Sequence, residues 1–497
     1  MSDLAPAAAG QRLFDRVAER LWLGSAHALE NVAPLRQLLF GSLAERARSA
    51  PRDPRDPAGV AADKLALRLA LIRLAERTLA DGRLSDGALR GLLKVLLTDV
   101  FLRHGDQAAK SGHRARYGLG PPDFLVISPS RACNLRCVGC YAAAGPAPER
   151  LEYALLERLV DEAREQWGTR FFVLSGGEPL AYRDAGRGVL DLAERHPDCY
   201  FVCYTNGTLI TDDVARRLAA LGNLSPALST EGLRERTDAR RGAGVFARVV
   251  AAMQRLRRER VAFGLSLTAP RENADEVLSD EVVDFFFRRQ GALYAWLFHY
   301  MPIGRAFTLD LMPTPEQRLR LHERVWGLVR EERLMIADFW TSGTATNGCI
   351  AGGRPGGYLH VNWNGDVSPC VFVPYAAANL REVYARGGSL DDVWSQPFFA
   401  SIRAWQREYG YRAPGESCPR CGDWLRPCLI RDHHARFQRL VAEHAPRPTD
   451  DDARAALGDE AYHAGLRGFG RDLAALTTPV WQARYQAADV PLSGPEA

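Results

Sequence analysis

Three cysteines in one short segment are the residues of this chain with the clearest chemical potential. Cys133, Cys137 and Cys140 follow a short apolar run with C-x3-C-x2-C spacing. Three thiolates on one tight loop can hold three corners of a cubane iron–sulfur cluster, whose irons normally take four protein thiolates. The iron that lacks a protein ligand is then free to bind and activate a small molecule. The alternatives are a structural zinc site or three buried thiols, but zinc sites generally use C-x2-C pairs with a second pair downstream.

A glycine-rich turn after the next apolar run strengthens the cluster interpretation. The run 171–174 is followed by Ser175 and then by Gly176-Gly177-Glu178-Pro179. Two adjacent glycines let a backbone approach a ligand closely, because they lack a side chain and adopt unusual φ values freely. The carboxylate of Glu178 would add negative charge near a bound ammonium group. The order of the two motifs, each at the end of a candidate strand, predicts one shared site.

Together the two motifs resemble the signatures of the radical S-adenosylmethionine (radical SAM) enzymes. The resemblance implies that the three cysteines are the catalytic ligands of a 4Fe–4S cluster. The open iron of that cluster would chelate the amino and carboxylate groups of S-adenosylmethionine. The resemblance also implies that the methionyl amino group is met by Gly176, Gly177 and Glu178.

Short polar motifs after the third and fourth predicted strands resemble further elements of the family. By this resemblance Asn206, Ser229 and Glu231 would approach the ribose or the methionyl part of the cofactor, and Arg241 would reach its carboxylate. Hydroxyl, amide and carboxylate groups suit a diol, and a guanidinium group suits a carboxylate. The alternative is plain turn chemistry, since Asn-Gly and Glu-Gly are frequent turn formers.

The adenine contact departs from the family pattern. Many members carry an aromatic residue immediately before the third cysteine, where this chain has Gly139. Tyr141, directly after that cysteine, is the candidate replacement for the adenine contact. Cys199 and Cys203 lie four residues apart in or beside the third predicted strand, on one face of it, and we interpret them as small buried hydrophobic residues.

The reaction is implied by the same resemblance. A reduced cluster would cleave S-adenosylmethionine to methionine and a 5′-deoxyadenosyl radical, which abstracts a hydrogen atom from an unactivated substrate carbon. The electron would come from an external donor such as a flavodoxin or a ferredoxin. The cofactors carry this chemistry, and the protein supplies orientation and excludes water.

A second group of cysteines lies towards the carboxyl end. The C-x15-G-x4-C element that begins at Cys349 resembles the start of the SPASM or twitch extension of radical SAM enzymes, and an Asn-Gly hairpin between its cysteines would bring them together. Five cysteines are enough for one four-thiolate auxiliary cluster, but two such clusters would need three more. The ligands are predicted to be Cys349, Cys370 and Cys428, with Cys418 or Cys421 as the fourth. A zinc knuckle that uses Cys418, Cys421 and nearby histidines is the alternative.

The composition restricts the class of protein. The chain has 497 residues, of which 46% are hydrophobic and 25% charged, and a net charge of +4. No long basic run exists, so nucleic-acid binding is not indicated. The first ten residues do not form a secretory signal, and no apolar stretch is long enough for a transmembrane helix. Clustered cysteines in such a protein point to metal binding in a reducing, cytoplasmic compartment.

The pattern of elements predicts the fold class α/β. Residues 1–120 are expected to form a helical extension that packs on the catalytic domain or, alternatively, contacts a membrane surface. Residues 121–330 alternate between strands and helices, which implies a parallel sheet; the family resemblance implies that it closes as a partial (β/α)6 barrel. Residues 331–440 are predicted to form the auxiliary-cluster domain, and residues 441–497 a helical tail. The six predicted strands are 124–129, 171–175, 200–205, 225–230, 263–268 and 293–300.

The substrate is the least determined feature, and three interpretations stay open. The first is a lipid or small-molecule substrate in an apolar pocket, to which five aromatic residues would contribute: Tyr294, Trp296, Phe298, Tyr300 and Trp340. The second is a ribosomal peptide, since the auxiliary extension is common among peptide maturases. The third is a non-catalytic electron-transfer protein, against which the intact glycine-rich turn argues. Arg305 is the candidate polar contact to the substrate, or else part of a loop stabilised by Pro and Gly.

Overall fold

A single ten-stranded sheet organises the chain. The computed structural model describes residues 32–53, 56–92, 95–96, 105–305, 307–411 and 422–486. The strands are β1 Phe124–Ile127, β2 Phe171–Leu174, β3 Tyr200–Thr205, β4 Leu224–Thr230, β5 Gly264–Ala269, β6 Tyr294–His299, β7 Met335–Asp338, β8 Tyr358–Val361, β9 Asp366–Ser368, β10 Tyr375–Ala376, β11 Ala378–Asn379 and β12 Arg447–Pro448. Their order in the main sheet is β11-β9-β8-β1-β2-β3-β4-β5-β6-β7, and β10 pairs with β12 separately.

Helices connect the strands and cover the sheet. They are α1 Ala33–Ser49, α2 Ala58–Ala80, α3 Asp86–Arg90, α4 Gln107–Tyr117, α5 Tyr153–Gln166, α6 Val189–Arg195, α7 Asp212–Leu221, α8 Arg234–Arg241, α9 Val245–Arg258, α10 Asp280–Val283, α11 Pro315–Arg330, α12 Gly343–Thr346, α13 Leu380–Ala385, α14 Leu390–Trp394, α15 Pro397–Glu408, α16 Leu429–Asp432, α17 His434–His444, α18 Asp451–Ala456 and α19 Glu460–Val480. The ends of α7 illustrate which residues begin and end a helix in this chain. The side chain of Thr211 caps its first turn, and Gly222 ends it with a φ of 71°.

The six predicted strands are confirmed as β1 to β6, all parallel and in sequential order. Strand β3 has the predicted bounds, and the others differ by one to two residues at either end. Their buried apolar side chains explain the agreement, because a parallel strand covered by helices on one face and enclosed on the other reads as an apolar run. Cys199 and Cys203 are fully buried beside and within β3, as predicted.

Four later strands extend the sheet, β7 on one side and β8, β9 and β11 on the other. Strand β7 pairs in parallel with β6, and β8 pairs in parallel with β1. The predicted hairpin is confirmed, since β8 and β9 are antiparallel and Gly365 takes a φ of 77° in the turn between them. The sheet therefore continues past residue 330, and the predicted domain boundary there stays a prediction.

The amino-terminal helices pack on the catalytic domain where they are described. In α2, Ala66 and Ala70 belong to the central hydrophobic core. The buried carboxylate of Asp63 accepts hydrogen bonds from Thr344 at 2.7 Å and Tyr485 at 3.1 Å, and it pairs with Arg330. The packing interpretation is thus supported for α2. Residues 1–31, 54–55, 93–94 and 97–104 of the predicted helical extension lie outside the described residues. None of the helices in the described ranges is long and apolar enough to cross a bilayer.

Candidate active site

The three cysteines of the first motif lie on the loop that follows β1, at the carboxyl edge of the sheet. The backbone N–H of Cys133 donates to the carbonyl of Gly145 at 2.8 Å, which folds the loop back on itself. Cys133, Cys137 and Cys140 all border one interior cavity. Loops at the carboxyl ends of barrel strands commonly carry the active site, and this position agrees with that rule.

The glycine-rich turn packs directly against the start of the cysteine loop. The N–H of Gly177 donates to the carbonyl of Ser130 at 2.9 Å, and that of Glu178 donates to Ala132 at 2.8 Å. A Cβ added to Gly177 would lie only 2.2 Å from the carbonyl oxygen of Ala132. The two predicted motifs therefore form one unit, and glycine is required because backbone meets backbone there.

Substitution of Gly177 by alanine should disturb cluster assembly. The added methyl group has no space, so the backbone at Ala132, next to the ligand Cys133, must move. We expect the variant to retain less iron after reconstitution than the wild-type protein. Gly145→Ala is the matched control, because a Cβ at Gly145, in the same loop, meets nothing within 4 Å. Equal iron contents in the two variants would contradict this steric explanation.

Glu178 is buried and joins the turn to the end of β3. Its carboxylate accepts hydrogen bonds from the Thr205 hydroxyl at 2.6 Å, the Asn206 N–H at 2.7 Å and the Leu180 N–H at 3.1 Å. Burial raises the pKa of Glu178, although these hydrogen bonds favour the charged form. The carboxylate thus positions the neighbouring strand end, and its role towards a methionyl ammonium stays a prediction.

Asn206 links the end of β3 to the cysteine loop. Its side-chain amide donates to Asn134 at 2.9 Å and lies 3.8 Å from the sulfur of Cys133. Its side-chain oxygen accepts hydrogen bonds from Thr208. Asn206 is therefore held beside the first cysteine, on the wall of the cavity, where the sequence predicted a contact with the cofactor.

Glu231 and two arginines form a buried ion cluster beside the second and third cysteines. Arg241 pairs with both carboxylate oxygens of Glu231 at 2.7 Å, and Arg240 pairs with one of them at 2.6 Å. Burial alone would raise the pKa of Glu231, but Arg241 and Arg240 outweigh it and lower that pKa. The predicted cofactor roles of Glu231 and Arg241 stay predictions. The structure adds that the two residues neutralise each other.

Arg240, which the sequence analysis did not single out, ties this ion cluster to the cysteine loop. Its guanidinium group donates to the carbonyls of Val138 at 3.2 Å and Gly139 at 3.4 Å, and its own carbonyl accepts from the N–H of Val138 at 3.0 Å. The loop between the second and third cysteines is thereby fixed to the end of α8. The double arginine in the sequence was the only signal for this contact.

Tyr141 belongs to a buried hydrogen-bond cluster beneath the cysteine loop. Its hydroxyl accepts the N–H of Gly176 at 3.0 Å. The hydroxyl oxygen of Ser128 lies 3.1 Å from that of Ser175 and 3.0 Å from the ring nitrogen Nε2 of His360. Burial raises the pKa of Tyr141, so the phenol is neutral and available as a hydrogen-bonding group. The predicted adenine contact of Tyr141 stays a prediction, and its hydroxyl serves the glycine-rich turn.

The donor set fits a polynuclear cluster better than a single ion. Three thiols on one loop, all bordering the same cavity, suit a cubane, which takes its thiolates at separate corners. Burial raises the pKa of Cys133 to about 11 and also that of Cys137, although Arg241 and Arg240 oppose the shift at Cys137. Iron coordination would stabilise the thiolates, and the adjacent guanidinium groups favour the same charged form.

Cys349, Cys370 and Cys428 form a second group of thiols, in which Cys370 is buried and the other two are half-buried. The pKa of Cys370 is raised by burial and further by the charges of Cys349 and Cys428, which therefore lie nearby. The sulfur of Cys370 lies 2.9 Å from the hydroxyl of Tyr358 and accepts the N–H of Phe372 at 3.4 Å. The candidates for the fourth ligand, Cys418 and Cys421, lie outside the described residues.

Arg431 brings a positive charge to this second group. Its guanidinium group is fully buried over the ring of Trp340, and neither of its terminal nitrogens has a hydrogen-bond partner in the described structure. Its only ion pair among the described residues is with Asp432, which also holds Arg318 and accepts the N–H of Cys428 at 3.0 Å. A buried cation beside thiols favours an anionic group such as a thiolate-bound cluster.

Loss of Cys370 should remove about half of the iron, if the two clusters are of equal size. We expect Cys370→Ala to show this loss after anaerobic reconstitution, measured as iron per chain. Cys203→Ala is the control, since that thiol is also buried but lies within β3 and is not among the described residues that border the cavity. An iron content equal to that of the wild-type protein would remove Cys370 from the ligand set.

The interior cavity joins these two regions. It has a volume of about 430 Å³. Of the five aromatic residues predicted for an apolar pocket, Trp296, Phe298 and Tyr300 border it, and Tyr294 and Trp340 pack elsewhere in the core. Ile350, directly after Cys349, and Val371 and Phe372, directly after Cys370, also border the cavity. The predicted cofactor residue Ser229 borders it as well.

Arg305 lies on the outer side of the cysteine loop. Its backbone N–H donates to the carbonyl of Cys140 at 3.0 Å, and its guanidinium group donates to the carbonyl of Ala144. It is not among the described residues that border the cavity. The structure thus supports the alternative of a loop contact, and a role towards the substrate stays a prediction.

Comparisons with known proteins agree with both cysteine groups. The model of the radical SAM superfamily matches residues 127–280, and the model of the SPASM iron–sulfur cluster-binding domain matches residues 349–422. The first match contains the cysteine loop and the glycine-rich turn. The second begins at Cys349 and contains Cys370.

Two relatives illustrate the range of proteins with a similar sequence. The mycofactocin maturase MftC of Mycolicibacterium smegmatis is 29% identical over 288 residues, which are 56% of this chain and 71% of that protein. The AdoMet-dependent heme synthase of Methanosarcina barkeri is 27% identical over 292 residues, 52% of this chain and 80% of that protein.

The structure of SuiB from Streptococcus suis bound to the precursor peptide SuiA superposes with a TM-score of 0.51 at 21% identity. It covers 65% of this chain and 74% of that chain. At this identity the likeness concerns the fold alone. The cysteine loop, the glycine-rich turn, the parallel sheet and the two matching domain models lead to one conclusion: this chain is an enzyme that carries a radical SAM domain and a SPASM domain with auxiliary iron–sulfur binding.

Proposed function

We propose that this enzyme removes hydrogen from a carbon of an apolar small molecule or lipid held inside the half-barrel. The observation that carries the proposal is the interior cavity, which begins at the three cysteines and is bordered mainly by aromatic and aliphatic side chains. Ligand pockets of this kind bury most of an apolar ligand and orient it with few polar groups. The polar groups on the wall near the cysteines include Ser229 and Asn206, and further polar groups, among them Lys110 and Asp123, lie at the far rim.

The residues at the first site have distinct tasks in this proposal. Cys133, Cys137 and Cys140 would hold the 4Fe–4S cluster, which with S-adenosylmethionine supplies the 5′-deoxyadenosyl radical that abstracts the hydrogen atom. Arg240, paired with Glu231, keeps the cysteine loop in place through its hydrogen bonds to the loop carbonyls. The aromatic walls exclude water from the reacting carbon, which limits side reactions of a radical.

The second site is positioned to exchange electrons with the substrate. Ile350, Val371 and Phe372 follow predicted ligands closely in sequence and border the same cavity. A fully ligated auxiliary cluster held by Cys349, Cys370, Cys428 and a fourth cysteine would supply an electron acceptor there. The substrate would then lose one hydrogen atom, one electron and one proton in total.

A peptide substrate is the second candidate. It is favoured by the sequence similarity to the maturase MftC, whereas the comparable similarity to the AdoMet-dependent heme synthase does not favour it. Many maturases have a small domain of strands and helices that recognises a leader peptide. Residues 32–120, where they are described, form helices without a strand. That difference, together with the apolar cavity, places the small apolar substrate first.

The partners follow from the chemistry. We infer an external one-electron donor of the flavodoxin or ferredoxin type, since a reduced cluster is required for cleavage of S-adenosylmethionine. Eight free cysteines in the described ranges, six of them grouped as cluster ligands, favour the reducing cytoplasm.

Transfer of deuterium tests the proposal even while the substrate is unidentified. The reconstituted enzyme would be incubated anaerobically with dithionite, S-adenosylmethionine and extracts of host cells grown in deuterated medium. We expect deuterium in the 5′-deoxyadenosine when the organic-solvent extract is present, measured by mass spectrometry. Deuterium only with the aqueous peptide fraction would favour the peptide substrate and contradict the proposal. A Cys137→Ala sample controls for chemistry outside the enzyme.

A further inference from the structure

The cavity extends from the first three cysteines towards the second group, since Tyr358, whose hydroxyl lies 2.9 Å from the sulfur of Cys370, also borders it. At that end it is bordered by a row of three aromatic side chains, Phe171 of β2, Phe124 of β1 and Tyr358 of β8. The three residues are direct register partners across the parallel strands. The ring centroid of Phe124 lies 5.8 Å from that of Phe171 and 5.0 Å from that of Tyr358, with which it is stacked.

The wall of the cavity changes in polarity along the strands. Val173 and Val126 lie two residues after Phe171 and Phe124, on the side towards the cysteines, and they also border the cavity. Two residues further lie Ser175 and Ser128, which belong to the hydrogen-bond cluster of Tyr141. At about 3.3 Å per residue, the path from the aromatic row to the serines is about 13 Å long. The wall is therefore polar near the first three cysteines, apolar from the valines to the aromatic row, and charged at the far rim, where Lys110, Asp123 and Arg170 lie.

The opposite wall is also aromatic and does not fill the space. Trp296, Phe298 and Phe339 border the cavity from β6 and the residue after β7. Side chains normally pack the interior of a (β/α)8 barrel completely. Here Phe171 and Phe124 are only half-buried, which leaves an open path along β1 and β2. At β8 the two walls meet, since the ring centroid of Phe339 lies 6.2 Å from that of the fully buried Tyr358.

The far end of the cavity opens beside the amino-terminal helices. Its rim includes Gly105, Gly168, Arg170 and the ion pair between Lys110 of α4 and Asp123. The charges of Lys110 and Asp123 offset each other, so this ion pair offers no net charge for an ionised head group. Polar recognition of a ligand would occur instead at the cysteine end.

We propose that the part of the cavity between the serines and the aromatic row, defined by Phe171, Phe124, Tyr358, Val173 and Val126, is a subsite for the elongated apolar tail of the substrate. This inference rests on the proposed function and specifies its substrate class: a molecule with its reacting and more polar end at the cysteines and a straight hydrocarbon or polyene tail. A compact apolar molecule would leave the aromatic row unused. A longer tail would bury more apolar surface along this path and bind more tightly.

Binding of a rod-shaped fluorescent probe tests the subsite. The reconstituted full-length enzyme, with S-adenosylmethionine bound, would be titrated with diphenylhexatriene, and the bound probe would be displaced by hexanol or hexadecanol. We expect hexadecanol to displace the probe at least about tenfold more effectively than hexanol. In Val173→Trp, where the indole would fill the path, the affinity for the probe should fall by about tenfold or more. The control Leu457→Trp adds the same group at an exposed position and should bind as the wild-type protein does.

A photoreactive alcohol gives a result that does not depend on a variant. Hexadecanol with a diazirine at the end of its tail should label peptides that contain Phe124 or Phe171. Labelling confined to the segment 296–301, or unchanged probe affinity in a folded Val173→Trp protein, would overturn the inference. Loss of probe binding in Leu457→Trp as well would show that the probe binds elsewhere, and it too would overturn the inference.

Formation of 5′-deoxyadenosine distinguishes this inference from the proposed function. Tail labelling at Phe124, together with no deuterium transfer from any host extract, would retain the subsite and contradict the proposed reaction. Deuterium transfer from an organic extract without labelling there would retain the reaction and contradict the subsite.

Discussion

Replacement of Cys137 by alanine should abolish the formation of 5′-deoxyadenosine. Cys137 is the middle ligand of the predicted cluster, and the guanidinium groups of Arg241 and Arg240 beside it cannot replace a thiolate ligand. With two ligands left on the loop, the cluster is not expected to assemble with one open iron. The measurement is 5′-deoxyadenosine per chain after anaerobic reconstitution and reduction.

The matched control is Cys199→Ala. Cys199 is fully buried, and burial raises the pKa of its thiol, but it lies away from the cavity, directly before β3. That variant should keep its iron and its cleavage activity. Retained cleavage in Cys137→Ala, in a sample free of wild-type enzyme, would refute the assignment of the first cluster. If the wild-type protein itself formed no product when fully loaded with iron, turnover would require the substrate.

The variant Glu231→Gln should be the least stable of the substitutions near the first site. Glutamine keeps the size of the side chain, but it leaves Arg240 and Arg241 buried without a counter-charge. Removal of one partner from a buried ion pair costs about 3–5 kcal/mol. We expect a clear fall in the denaturant midpoint of the cluster-free protein, followed by tryptophan fluorescence. Iron retention should fall too, because Arg240 also holds Val138 and Gly139 of the cysteine loop.

An exposed ion pair of similar geometry provides the control. Arg236 pairs with both carboxylate oxygens of Glu276, at 2.9 and 2.6 Å, and the side chain of Glu276 is 56% exposed. Exposed pairs contribute about 0–1 kcal/mol, so Glu276→Gln should leave the midpoint nearly unchanged. Similar denaturant midpoints for the two variants would show that the buried Glu231 ion cluster stabilises the fold no more than the exposed ion pair does.

The arginines also explain why the cysteine loop can hold a charged cluster in a buried position. Arg240 and Arg241 each carry one positive charge, and Glu231 carries one negative charge, so positive charge is in excess beside Cys137 and Cys140. Arg431 repeats this arrangement at the second group of thiols, beside Cys428. Both sites thus place a buried cation next to thiols that must lose their protons to bind iron.

The strands and the chemistry of the first site could be predicted from local sequence. Strand bounds such as those of β3 follow from short apolar runs, and the cysteine spacing and the glycine-rich turn are local motifs that resemble a known family. Such features depend on residues near one another in the chain, so they can be interpreted without knowledge of the fold. The same holds for the hairpin between β8 and β9, which its Asn-Gly turn predicted.

The contacts of the polar residues and of the interior, in contrast, depend on how distant segments pack. Glu231 and Arg241 were predicted separately as cofactor contacts, yet they pair with each other, and Arg240 holds the cysteine loop from far along the chain. The aromatic row forms because β8 returns beside β1, so that Tyr358 meets Phe124. Local patterns carry no signal for such pairings. The physical reason is that burial and long-range register, rather than local propensity, choose the partner of each side chain.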